Sequence, residues 1–175
     1  LRPHWARALA EPQPGGHLRR GVGVASCWYG CGNTGLPNPS TIRIGLTDEG
    51  RIKLHQGAAD IGQGSNTVIT QIAAEALGLP ISAFDLIGPD TFLTPDAGKT
   101  SASRQTFVTG RAAQAAGSAL RTALLRQVNA GETTKLSLNG HFVSVFEGER
   151  RHLIDLAALP ANALGYVFSA EETYD

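Results

Sequence analysis

The chain has no methionine and only two cysteines, Cys27 and Cys31. Without a starting methionine it reads as an excised fragment or a processed chain. Two cysteines exclude a disulfide framework and a four-cysteine iron–sulfur site. Three residues separate them, which is not the spacing of a CxxC redox pair, and within an apolar run both are expected as buried core residues. Net charge is also missing. The 15 Lys and Arg balance 15 Asp and Glu, for a formal charge of +0. That argues against an electrostatic nucleic-acid binder and a polybasic membrane anchor. No apolar run reaches the roughly 18 residues of a membrane span, and no signal peptide precedes the fold. The expected compartment is the cytoplasm, with the periplasm as the alternative, and neither nucleic acid nor membrane is expected as partner. The five histidines are scattered, and none stands at metal-ligand spacing from a carboxylate or another histidine, so no protein-ligated metal is expected.

Charged residues make up 17% of the chain, below the roughly 25% usual in soluble domains. Part of the surface is expected to lie against another body. The 42% hydrophobic content suffices for a core. Gly is abundant, 21 of 175 residues, against roughly 7% on average. Such a chain needs backbone at unusual angles or close to a ligand.

Along the chain, 1–11 reads as a short helix tail and 12–17 as a Pro/Gly linker. Domain bounds of 1–17 and 18–175 follow. The uncharged run from Val22 to Asn33 reads as a buried strand. Residues 41–56 alternate apolar and polar around Asp48-Glu49-Gly50, a β-hairpin. Val68, Ile69, Ile72, Ala73, Ala76 and Leu77 share one helical face over 65–78, with Ser65 or Asn66 as N-cap and Gly78 as C-cap. A short strand is expected over 84–88. A second helix is expected over 102–129, in which Gly110 and Gly117 offer a small surface for close packing. Asn139-Gly140 between alternating runs predicts a type I′ hairpin. LIDLAAL, beginning at residue 153, reads as a short helical piece. The expected fold is α+β with two layers, a mixed sheet with β-hairpins backed by two helices in the order β-ββ-α-β-α-ββ.

Two segments have the same design. Asp60-Ile61-Gly62-Gln63-Gly64-Ser65 and Gly98-Lys99-Thr100-Ser101-Ala102-Ser103-Arg104-Gln105 each put small residues at a helix entrance. Free amides and the helix dipole there favour an anion. Gly62 and Gly64 let the backbone approach a ligand. Gln63 can donate and accept at once, which suits the edge of a heterocycle. Ser101, Ser103 and Arg104 suit phosphate oxygens. The plain alternative is two well-capped helices with solvated loops. Neither segment is a Walker loop or a GxGxxG turn. Asp60 is expected to orient the Gly-Gln-Gly turn by accepting backbone N–H bonds. Ser101 and Ser103 have no partner histidine nearby, so neither is supported as a hydrolase nucleophile.

These segments, with GVGVASCWYGCGNT upstream, resemble the molybdenum hydroxylases, the xanthine dehydrogenase and aldehyde oxidoreductase family. The likeness falls in the molybdenum-cofactor-binding region of the large subunit and covers about residues 18–125. The DIGQG and TSAS turns lie 39 residues apart, from Gln63 to Ala102, and that joint spacing is more specific than either turn. The WYG, GNT and TSASRQT elements are most similar to the bacterial nicotinate dehydrogenase-like branch. By this resemblance Gln63 hydrogen-bonds the pterin and Ala102 packs beside the molybdenum centre. Ser103, with Ser101, Arg104 and Gln105, belongs to the loop holding the pterin and its phosphates. The implied cofactor is molybdopterin cytosine dinucleotide with molybdenum, bound through the pterin's dithiolene sulfurs rather than side chains. The family's catalytic glutamate, in a GEPP-like motif, is missing, so no residue of this chain is expected to be catalytic. The implied activity is hydroxylation of an aldehyde or N-heterocycle by a larger enzyme. The implied partners are the rest of the large molybdenum subunit and iron–sulfur and FAD subunits or domains. The isolated chain is expected to hold no cofactor. The alternatives are a non-catalytic interaction or scaffold domain retaining the fold, and a stand-alone nucleotide-binding enzyme. The latter needs a local general base that the residues do not supply.

Overall fold

Strand β1 (Ser40–Thr47) sends Ile42, Ile44 and Leu46 into the core, all at 0% exposure. The computed structural model describes residues 5–7, 10–11, 15–19, 21–30, 32 and 35–175. β1 pairs antiparallel with β2 (Ile52–Gln56) on one side and with β7 (Tyr166–Tyr174) on the other. β3 (Phe84–Ile87) adds to β2 in parallel, so the sheet is mixed, in the order β3-β2-β1-β7. The parallel pair requires a crossover, and helix α1 (Ser65–Leu77) supplies it. Helix α2 (Gln105–Gln127) packs against α1, β1 and β7. A second, antiparallel sheet joins β4 (Lys135–Asn139), β5 (Phe142–Glu147) and β6 (Arg150–Asp155). Its Val143, Val145 and Ile154 enter the same core cluster as β1 and both helices.

The expected α+β class with a mixed sheet and two backing helices is what the chain adopts. Gly78 closes α1 with φ +81, its N–H donating to Ala74 O and Glu75 O. Ending in left-handed glycine is a common helix stop. α2 begins later and ends earlier than expected. Ala102 and Ser103 at one end and Asn129 at the other have positive φ, which a helix does not tolerate. Gly117 lies where α2 crosses α1: a Cβ there would stand 2.7 Å from Ala73 O and 2.9 Å from the Ala76 Cβ.

Several expectations need correction. Residues 21–30 form no strand and are exposed throughout, with Trp28 fully so and Cys27 a free, exposed cysteine. β-Propensity marks a segment fit to pair, but no strand of either sheet pairs with it. Cys31, residues 1–4, 8 and 9 of the helix tail, and 12–14 of the Pro/Gly break lie outside the described residues. Residues 5–7 and 10 are helical. LIDLAAL is not helical from its start. Leu153 to Asp155 complete β6, where Ile154 pairs with Val143, and only Leu156–Ala158 make a short 3₁₀ turn. Pairing with β5 overrides the helix preference of Leu and Ala. The β4–β5 turn is centred on Gly140 and His141, because Asn139 pairs with Phe142. Only Gly140 has positive φ, the pattern of a type II′ turn rather than I′. The nine-residue strand β7 was not anticipated, although Tyr166, Phe168, Ala170 and Tyr174 alternate along it.

β7 is held to the sheet by more than its ladder. Arg43 faces Glu171 across the pair at 2.6 Å, and the Thr41 and Thr173 hydroxyls are 2.7 Å apart. The Tyr166 ring lies on Gly45, where a Cβ would come within 2.3 Å of it. The Tyr166 hydroxyl reaches buried His55 Nε2 at 2.5 Å, while His55 Nδ1 lies 2.9 Å from Leu93 O. A carbonyl only accepts, so Nδ1 carries the proton and Nε2 accepts from the tyrosine. Burial lowers the His55 pKa, with the Leu93 carbonyl acting in the opposite direction.

Two outcomes follow for stability. Gly117→Val lowers stability by about 2–3 kcal/mol, because the new side chain forces the two helices apart, and calorimetry of the chain measures the loss. His55 is neutral in the fold and has a depressed pKa. Its contribution is therefore complete above the unfolded value of about 6.5 and is lost as pH falls toward the folded value. Melting temperatures should fall below neutral pH, and His55→Gln should flatten that slope.

Candidate functional site

Strand β2 ends at Gln56, and the chain turns through Ala59 to Ser65 before entering α1. The Asp60 carboxylate organises this turn. It accepts N–H bonds from Gly62 (2.9 Å), Gly64 (3.2 Å) and Asn66 (3.0 Å). Those amides, that of Asn66 foremost, hold its pKa below the usual carboxylate range. Gly62 and Gly64 have φ of +104 and +81, which non-glycine residues rarely adopt. Asp60 is therefore the orienting residue expected from the sequence. The expected Ser65 or Asn66 cap is replaced: Gly64 is the N-cap and makes no side-chain cap bond. The acceptor for the first turn comes instead from Asp60, upstream. Gln63 folds over its own turn, with Oε1 accepting from Ile61 N at 2.6 Å and Nε2 donating to Ala59 O at 3.1 Å.

The second turn is tied to the first by one hydroxyl. Thr100 Oγ1 accepts from Ala59 N and donates to Ala59 O, both at 3.1 Å. The chain then passes through Ala102 and Ser103, both left-handed, with φ of +52 and +54. Such non-glycine conformations cost on the order of 1–3 kcal/mol each. Tyr29 Oη accepts from Ala102 N at 3.1 Å, and Gly32 N donates to Ala102 O at 2.6 Å. After the turn, α2 starts without a side-chain cap. Among the described residues, the amides of Ser103, Gln105 and Thr106 and the hydroxyls of Ser101 and Ser103 have no hydrogen-bond partner.

A cleft of about 480 Å³ lies between the turns, lined by Tyr29, Ile61, Gln63 and the stretch from Thr100 to Thr106. Gln63, Ser101, Ala102, Ser103, Arg104 and Gln105 thus share one cavity, as the twin helix entrances predicted. Gly62 and Gly64 do not line it but set the turn that presents Gln63. The side chains of Arg104 and Gln105 are engaged internally. Arg104 is 1% exposed and bonds only backbone carbonyls, and Gln105 Nε2 donates to Lys99 O at 3.1 Å and Thr100 Oγ1 at 3.2 Å. Tyr29, Ile61 and Thr100 were not singled out in the sequence. The signal for Ile61 was an apolar residue inside a polar turn, and it is 76% exposed. Among the described residues, no three His, Cys, Asp or Glu side chains converge as a metal site, and no helix is long and apolar enough to cross a membrane. The free donors stand at the entrance to α2, and among the described residues the lining holds no carboxylate or imidazole.

The chain is similar to known proteins over most of its length. A family model described as a molybdopterin cofactor-binding domain matches residues 2–175. The chain is 37% identical over 126 residues to the xanthine dehydrogenase molybdenum-binding subunit of Escherichia coli, covering 69% of this chain and 16% of that protein. It is 33% identical over 121 residues to the aldehyde oxidoreductase of Megalodesulfovibrio gigas, covering 66% and 13%. Among solved structures, the Cu,Mo-CO dehydrogenase shares the fold at a TM-score of 0.61 and 22% identity, covering 84% of this chain and 20% of that one. The aldehyde oxidoreductase from Desulfovibrio desulfuricans does so at 0.57 and 24%, covering 83% and 14%. The chain spans about a sixth of the length of the Escherichia coli relative. The chain belongs to the molybdopterin cofactor-binding domain family and corresponds to a fragment of the molybdenum-binding subunit of the molybdenum hydroxylases.

Proposed function

We propose that the cleft between the two turns is one wall of a molybdopterin site in a larger molybdenum subunit. The observation that carries this reading is the convergence of Gln63 with the Ser101–Gln105 turn in one cavity. Unpartnered amides and hydroxyls fit a ligand rich in acceptors, as a pterin and its phosphates are. Ser103, Gln105 and Thr106 would offer backbone N–H groups, and Ser101 and Ser103 their hydroxyls. Gln63 would exchange bonds within its own turn for the pterin edge. Ala102, a small residue in the lining, would pack beside the centre. Gly62 and Gly64 would keep the Gln63 turn low enough for close approach. Arg104 and Gln105, whose side chains are occupied, would contribute through backbone and turn shape.

When bound, the molybdenum centre supplies the redox chemistry. The residues of this chain bind and orient it, and proton transfer is assigned to a glutamate elsewhere in the subunit. The substrate class is an aldehyde or an N-heterocycle, in keeping with relatives named xanthine dehydrogenase and aldehyde oxidoreductase. The cofactor form in this reading is the cytosine dinucleotide, whose phosphates the free amides of the second turn would hold. In this reading residues 18–175 form the partial cofactor-binding domain, with 1–17 as a helix tail and linker. The rest of the large subunit, and iron–sulfur and FAD subunits or domains, complete the assembly. The apolar, exposed residues Trp28, Ile61, Phe92 and Phe107 suit burial against such partners.

Gln63→Ala in the full-length subunit should lower molybdenum content and the cytidine nucleotide released by acid together. Leaving a buried cofactor group unpaired costs about 1–3 kcal/mol, roughly ten- to a hundred-fold in affinity. Apo melting temperature should change little, because Gln63 is exposed and lies outside the core. Full occupancy with a large drop in apo stability would remove the cofactor role of Gln63. The 175-residue chain purified alone should contain no molybdenum by elemental analysis, since it offers one wall only.

A further inference from the structure

Arg104 is the largest fully buried side chain in the fold. Its guanidinium has no ion pair among the described residues. Every bond it makes is to a backbone carbonyl, and the carbonyls come from two separate pieces of chain. Nη1 donates to Ala97 O at 2.5 Å and Lys99 O at 3.1 Å, on the loop before the second turn. Nη2 donates to Asn38 O at 2.6 Å and Pro39 O at 2.9 Å, on the approach to β1. All four Nη hydrogens are used. The remaining donor, Nε, is buried and unpartnered, so a ligand in the cleft cannot reach it without moving the fold.

The approach to β1 returns to the second turn by another route. Asn38 Nδ2 donates to Gly32 O at 2.6 Å, and Gly32 N donates to Ala102 O at 2.6 Å. The Tyr29 hydroxyl accepts from Ala102 N. Arg104, Asn38, Gly32 and Ala102 therefore form a closed circuit around the left-handed pair Ala102-Ser103. Gly98 (φ +64) completes it, for a Cβ there would stand 2.8 Å from Arg104 Nη1 and 3.0 Å from Pro39 O.

We infer that Arg104 is a positioning residue that staples Asn38 and Pro39, and through Asn38 also Gly32, to the turn 97–103, holding Ala102 and Ser103 in their strained conformation, and that it does not itself touch the ligand. The inference rests on the cofactor reading only where molybdenum is the measured quantity. It has a chemical signature. A phosphate contact needs a positive charge, which lysine also provides as a point charge. A two-sided staple needs the planar fork, because a single ammonium cannot reach both pairs of carbonyls.

The test uses the full-length subunit with Arg104→Lys, Arg104→Met and Gly98→Ala, read by hydrogen–deuterium exchange on the apo form and by elemental analysis of the purified form. Exchange in peptides spanning 29–39 and 97–103 should rise together in all three, while the peptide over 42–46 stays protected. Molybdenum per folded subunit should fall by about tenfold or more in both Arg104 variants, with Arg104→Lys no better than Arg104→Met. Wild-type molybdenum in Arg104→Lys with loss in Arg104→Met would overturn the inference, since charge alone would then suffice. Loosening of 97–103 without 29–39 would overturn it as well. Should both Arg104 variants unfold throughout, Gly98→Ala decides, and unchanged exchange in both segments counts against the staple. A wild-type subunit without molybdenum would defeat the cofactor reading and leave exchange to judge the staple alone.

Discussion

Strand β1 is the fixed point from which the cleft is built. Its three apolar side chains are fully buried, and it is paired on both edges, so it cannot shift register without exposing that face. β2 runs from it into the Asp60 turn. Thr41 N, near the start of β1, donates to Asp96 O on the loop leading to the second turn. Asn38 and Pro39, just before it, receive Arg104. Both walls of the cleft therefore trace back to one strand through a handful of hydrogen bonds.

The polar groups around the cleft divide into two classes. Asp60, Thr100, Gln105 and the two terminal nitrogens of Arg104 are engaged by the protein itself and give the turns their shape. The free amides and hydroxyls at the start of α2 are left for something else. Most of these groups are exposed, as Ser101, Ser103 and Thr106 are, while Gln105 is buried, and they stand beside left-handed Ala102 and Ser103. Strain and unpaired donors at one place are consistent with a site shaped for a ligand rather than for stability. The second sheet takes no part in this. It enlarges the core through Val143, Val145 and Ile154 and keeps the tip of the β1–β2 hairpin in place, where Gly50 packs against Gly140 O.

Much of the fold was legible because its signals are local. Alternation in 41–56 marked the first hairpin, apolar spacing marked both helices, and Gly78 marked the end of α1. Gly110 and Gly117 announced a close helix contact, and Gly117 makes it against the backbone of α1. The two turns were visible as paired clusters of small and polar residues. Less legible were features that depend on who pairs with whom. β7 carries the alternation of a strand, but its partner lies more than a hundred residues away. The segment 21–30 carries the composition of a strand, but among the described residues it pairs with no strand, and it is exposed.

Residue type and spacing by themselves determined that two turns rich in small and polar residues open onto helices. Only the tertiary structure decided what each polar side chain does. Arg104 and Gln105 look like ligands for phosphate in the sequence, yet their side chains are spent on carbonyls of their own loop and of the arm before β1. Asp60, rather than Ser65 or Asn66, caps α1. The physical reason is the same in each case. A backbone carbonyl or amide buried by folding must find a partner, and which side chain is within reach is set by the packing of distant segments, which no local pattern encodes.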